Sequence, residues 1–296
     1  MHINMKYYIV SVSAIFIALG IGVLVGFNIN DNQLIYDQQS EIITDLEVQF
    51  DEFQEINNEL EKELNKSNEN YRLAVNFINN NLENLVENSL SEKNIGIIST
   101  NEKNKYNEEI NELLTKAGAS VSFDIVINEN ILNEENIKQV SKSLEIEISD
   151  TKEMISYIVD TLKNEDLDKE ILEKLEDLEI IQINSLNEEY NKYSDVVLLG
   201  GNNDESKVDT FNNIDLNLIN KFKELDINQV GVQQSVSKTN YSDLYFNETI
   251  SSVDNVEYDL GKLSLVILLE NEGNLGKYGI LENAQSIIPY NTKKEN

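Results

Sequence analysis

Two glycine-containing segments hold the residues best placed for chemistry. The first, Gly200-Gly201-Asn202-Asn203-Asp204, directly follows the apolar run Val196–Leu199 and is flanked by Asp195, Asp204 and Asp209. Carboxylates beside a glycine turn can serve as general acid and base, or as oxygen ligands for a hard cation. The second reads NEGNLGKYG, with Gly273, Gly276 and Gly279 spaced three apart. In open parallel sheets, ligands bind outside the carboxyl ends of the strands, which is where loops of this kind fall. Neither segment is a dinucleotide fingerprint or a phosphate-binding loop, because G-x-G-x-x-G and a G-K-[ST] ending are both absent. Turn chemistry accounts for both, since glycine takes up positive φ without steric penalty.

The chain lacks the partners that catalysis would need. Its single histidine is His2, and it has no cysteine. A Ser-His-Asp triad, a multi-histidine metal site, thiol catalysis, disulfides and cysteine-based clusters are therefore excluded from the body. With 54 acidic residues, carboxylate pairs arise by chance. No catalytic residue, cofactor site or metal site is assigned, and no enzyme is expected. The net charge of −31 also argues against nucleic acid as a partner, because phosphate binding needs a basic surface.

Three elements must carry whatever function exists. Residues Tyr8 to Phe27 form an uncharged 20-residue run, long enough to cross a bilayer as a helix. A secretory signal peptide has a shorter apolar core and a small-x-small cleavage site, whereas this run ends in Asn28, Ile29, Asn30 and Asp31. The segment is read as an uncleaved anchor in the lipid bilayer. Lys6 precedes it and the next basic residue is Lys62, so the N-terminus is expected in the cytoplasm and the rest outside the cell membrane. Ala14, Ala18, Gly22 and Gly26 fall on one stripe of this helix, a spacing that lets two helices pack closely in lipid.

Residues 31–93 contain no Gly and no Pro. Ile35, Ile42, Leu46, Phe53, Ile56 and Leu60 recur near a 3.5-residue spacing. After a four-residue step to Leu64, the pattern continues in a shifted register through Tyr71, Ala74, Ile78 and Leu85. This predicts a coiled-coil stalk that makes the protein a homo-oligomer. A helix folded back on the body is the other reading of the same pattern. The stalk carries 15 acidic and 4 basic residues, so salt is expected to favour its association.

From Asn94 the period changes. Asn94–Ser99, Ser120–Ile127, Ile180–Ile183, Val196–Leu199, Gln229–Val232 and Leu263–Leu269 read as strands. Helical segments are expected over Tyr106–Ala117, within Glu134–Leu178, over Leu216–Leu225 and over Leu281–Ile288, the last stopped by Pro289. The alternation predicts an α/β domain with a mostly parallel sheet. The expected organisation is 1–30 stub and anchor, 31–93 stalk and 94–296 globular domain.

Two stretches add a resemblance. The first is Tyr8-Ile9-Val10, then Ala14-Ile15-Phe16-Ile17-Ala18-Leu19-Gly20-Ile21-Gly22 and Gly26. The second is Ser252-Val253-Asp254-Asn255-Val256, Gly261, Gly276-Lys277-Tyr278-Gly279, Ala284 and Pro289. Together they resemble the MctB-like copper transporter family (mycobacterial copper transport protein B-like). The resemblance implies a membrane-associated role in copper transport and homeostasis at the bacterial envelope, with the copper ion as cargo. Copper(I) prefers thiolate and thioether ligands, and imidazole also suits copper. The chain offers Met1, Met5, Met154 and His2, three of them before the span. An envelope scaffold of the same architecture with no copper role is the alternative.

Overall fold

The computed structural model describes residues 5–101, 106–164, 169–203 and 207–289. Helix α1 (Met5–Val86) begins in the apolar segment. Met5–Phe27 is the described stretch long and apolar enough to cross a membrane, and none of it is buried within the protein. The chain divides into two compact units, one ending at Leu73 and the other beginning at Ala74. In the first unit, Ile42, Leu46, Phe53, Ile56, Leu60, Leu64 and Tyr71 are all exposed. Ile43 and Phe50 are exposed too, so the apolar face is wider here than the heptad spacing alone predicts.

The second unit is a sheet covered by helices on both faces. Its strands are β1 (Asn94–Ser99), β2 (Ser120–Ile127), β3 (Ile181–Leu186), β4 (Asp195–Leu199), β5 (Asn228–Val232), β6 (Ser251–Val253) and β7 (Lys277–Tyr278). They lie in the order β3-β2-β1-β4-β5-β6-β7. All neighbours are parallel except β2 and β3. Strands buried on both faces read as continuous apolar runs. In β1 and β4, alternate residues serve opposite layers. Ile98, Val196 and Leu198 join one core, and Ile95, Ile97, Val197 and Leu199 join the other.

The first core is closed by α3 (Glu134–Leu144), α4 (Thr151–Lys163), α5 (Lys169–Asp177), α7 (Leu216–Glu224) and α8 (Tyr241–Asn247). The second is closed by α2 (Asn107–Lys116), α9 (Asp259–Glu270) and the end of α1. Val86 and Leu90 are fully buried in that second core, with Leu82 packed against it. The last turns of α1 thus present an apolar face to the body of the same chain. Ahead of α7, a short α6 (Val208–Thr210) leads into a π turn, Phe211–Asp215.

Two expected elements are corrected. Leu263–Leu269 is not a strand but the heart of α9, where Leu265, Val266, Leu268 and Leu269 are all buried. This helix packs against α2, β5 and β6, so apolar residues cover most of its circumference and no 3.6-residue period shows. Leu281–Ile288 is not a helix. It forms turns, and Gln285 N–H and Gly279 N–H bond back to carbonyls of Lys277 and Ser286. The real strands of this region, β6 and β7, have only three and two residues, too few for alternation to register.

Candidate functional site

The strand order reverses direction between β1 and β4, which makes the carboxyl ends of those strands the expected ligand crevice. Thr100 and Asn101 leave β1 there, and Gly200, Gly201 and Asn202 leave β4. All five are buried. The Asn101 side-chain amide donates to the Gly201 carbonyl, and the Asn202 amide donates to Asn101 Oδ1 at 3.3 Å. Glycine is needed at position 200 because a Cβ would overlap the Tyr241 ring and the Tyr245 hydroxyl, both from α8. Tyr106 OH donates to the Gly200 carbonyl at 3.1 Å, and Tyr241 OH donates to the Lys207 carbonyl at 2.8 Å.

At the centre of this cluster is Asp215, the last residue of the π turn, with no exposed surface. Thr100 Oγ1 donates to its two oxygens at 2.9 and 3.0 Å, and Tyr245 OH donates to Oδ1 at 3.0 Å. Burial pushes this carboxyl up to about 7, against the hydrogen bonds from Thr100 and Tyr245 that favour the charged form. Burial likewise raises the hydroxyls of Tyr106, Tyr241 and Tyr245, so all three stay neutral donors. Sequence reading passed over Asp215. The signal was there: it shares the helical face of Phe211, Leu218, Ile219 and Phe222, a polar residue at a core position.

Of the carboxylates proposed beside the glycine turn, Asp195 and Asp209 do not join it. Asp195 lies at the far, amino end of β4. There it is buried and paired with Lys93 at 3.3 Å, and it accepts from Ser194 Oγ at 2.6 Å and Asn228 Nδ2 at 2.6 Å. Asp209 is exposed on α6, and Asp204 lies outside the described residues.

The second glycine segment brackets β7. Gly273 is an open turn at φ +92° with no neighbour near it. Gly279 has φ +138°, and a Cβ there would strike the Asp254 carboxylate. That carboxylate accepts Ile280 N–H at 2.8 Å and Leu281 N–H at 3.2 Å. Gly276 faces the Tyr278 hydroxyl and Gln285. Ala284 N–H closes a turn onto the Leu281 carbonyl, and Pro289 is buried. Asn255, also buried, lies against Gly261 in the first turn of α9. The residues around Ser252–Gly279 that carry the resemblance thus interlock two loops with the end of the sheet.

In the anchor, Gly22 and Gly26 have nothing within reach of a Cβ, and Ala14 and Ala18 are exposed. Among the described residues, no group of three or more His, Cys, Asp or Glu is placed to hold a metal ion. Met154, the soft ligand in the body, is fully buried in the core of α4. Met5 is exposed, while Met1 and His2 lie outside the described residues.

Residues 2–289 match the family profile described as copper transport outer membrane protein, MctB. The chain belongs to the MctB family. The match spans the apolar N-terminal segment, the rest of the long helix α1 and the α/β body together. The family's description is one of copper transport. No curated protein matches the chain.

Proposed function

We propose that this MctB-family protein is a single-pass envelope protein that serves copper transport and homeostasis as an assembly rather than through a copper site in its body. The full-length family match carries the copper reading. The assembly reading is supported by the exposed apolar face of the stalk, read as a parallel coiled coil between copies, and by the Ala14, Ala18, Gly22 and Gly26 stripe, which would pack spans together. Division at 1–30, 31–93 and 94–296 into anchor, stalk and body belongs to the same reading.

A second reading is a coiled-coil envelope scaffold with no copper role. The burial of Met154 favours it, because a thioether closed inside a helical core cannot meet an ion from solution. Copper sensitivity separates the two. A strain lacking this protein is expected to grow less well in added copper, with rescue by the full chain and equally by Met154→Leu, a swap of similar volume. Unchanged copper tolerance on deletion leaves the scaffold.

Orientation follows from Lys6 ahead of the span and the acidic stalk behind it. Protease added to intact, wall-stripped cells is expected to digest the body. Complete protection of the body, lost only on lysis, would reverse the assignment.

A further inference from the structure

The buried carboxylate at the strand-order reversal has no part in the reading above. Asp215 joins three elements that are far apart in sequence: the end of β1 through Thr100, the π turn it terminates, and α8 through Tyr245. Phe211, Tyr241 and Tyr245 pack edge-on around it, with ring centroids 5.4 to 5.7 Å apart. Among the described residues, no cationic side chain pairs with it. A fully buried carboxylate held by two hydroxyls and a backbone N–H, with no cation beside it, is a costly charge, and carrying a proton removes that cost.

We propose that Asp215 is a proton-operated latch on the carboxyl-end crevice of the sheet: protonated, it ties β1, the π turn and α8 together, and ionised, it releases them. The π turn supplies the movement. It holds one residue more than an α-helical turn needs, so rewinding it to α-helix turns the preceding residues by about 100° about the helix axis. That rotation carries Phe211 away from the rings of Tyr241 and Tyr245, and so loosens the tyrosines that close over Gly200 and, through Tyr245, hold Asp215.

The neighbouring charges leave Asp215 as the group that responds. Glu129 is paired with Lys207 at 2.7 Å and accepts from Thr210. Glu257 accepts the Ser235 N–H and hydroxyl. Asp160 of α4, which packs against the π turn, is paired with Lys221 at 2.7 Å. Tyr106, Tyr241 and Tyr245 face the cluster as neutral hydroxyls.

The sign follows from linkage. In the closed state Asp215 holds its proton up to about pH 7, whereas a solvated carboxyl releases it near 3.8. The closed state therefore has its full advantage below the solvated value. It loses that advantage by about tenfold per pH unit as pH rises toward 7, and changes little above that.

Amide hydrogen exchange of the full-length protein in detergent micelles, at pH 5 and pH 7.5 and corrected for intrinsic rates, tests this. Peptides covering 207–218 and 241–247 are expected to exchange on the order of 100-fold faster at the higher pH, while 134–144 changes little. Asp215→Asn is expected to remove the pH response. Tyr245→Phe, which deletes a hydrogen bond to the ionised form, is expected to raise the pH at which opening levels off. Exchange that is independent of pH in the wild type overturns the latch. So does a wild-type response retained in Asp215→Asn or, should that variant not fold, a levelling-off unmoved in Tyr245→Phe.

Discussion

Replacing Lys93 by Met is expected to destabilise the α/β body by about 3 kcal/mol, the lower end of the range for removing one partner of a buried ion pair. Asp195 has no exposed surface, and Lys93 is its cation, 3.3 Å away and itself only partly exposed. Lys93 also reaches the exposed carboxylate of Glu272. Burial pulls its ammonium down, but the two carboxylates more than offset that, and its pKa ends above the ordinary lysine value. Without Lys93, the Asp195 charge keeps only the Ser194 hydroxyl and the Asn228 amide. Urea unfolding of residues 74–296 reads the effect. Glu272→Gln, at the exposed arm, is expected to change stability by less than about 1 kcal/mol. Adding Asp195→Asn to Lys93→Met is expected to recover much of the loss, because the stranded charge goes. A Lys93→Met midpoint equal to wild type would mean that the pair contributes nothing.

Placing Asp at both Leu46 and Phe53 is expected to convert the protein from oligomer to monomer. Both side chains are exposed on the isolated chain, at 58% and 64%. Burying four such groups in a dimer is worth about 1.5–3 kcal/mol each, so losing them raises the dissociation constant by at least about 10⁴-fold. Sedimentation of a soluble fragment, residues 31–296, makes the comparison. The wild-type fragment should run above monomer mass, more so in added salt, because the acidic stalks repel one another at low ionic strength. A wild-type fragment that stays monomeric at high concentration and high salt would end the coiled-coil reading.

The proper start of the soluble body bears on both experiments. Val86 and Leu90 lie before Asn94 yet are buried in the second core, and the compact unit begins at Ala74. Heptad spacing places Ile78 in the stalk seam, but Ile78, Leu82 and Val86 are progressively buried at the end of α1, while Leu85 stays exposed. A stripe of apolar residues announces that something will cover it and leaves the partner unstated. Here the last turns are covered by the body, while Leu46, Phe53 and Leu60 are exposed.

The amino-acid sequence alone determined the features that depend on local composition and period. The uncharged run through Phe27 is helical, the form in which a segment apolar enough to cross a membrane satisfies its own backbone. The helix continues without Gly or Pro to Val86, β1, β4 and β5 contain short apolar runs, and β2 alternates Val121, Phe123, Ile125 and Ile127. The MctB resemblance was legible at both ends of the chain. Tertiary structure decided what depends on neighbours distant in sequence. It set the order of the strands and reversed β3. It decided that α9 is a helix, whose cover on most sides erases the amphipathic period from the sequence, and it created β6 and β7 from segments too short to signal anything except through pairing. It also separated Asp195 from Gly200, since five residues of extended chain carry them about 16 Å apart, to opposite ends of the sheet. And it brought Asp215, more than a hundred residues from Thr100, to the end of β1, because only the packed body could bring together the hydroxyls of Thr100 and of Tyr245 on α8 around its buried carboxyl.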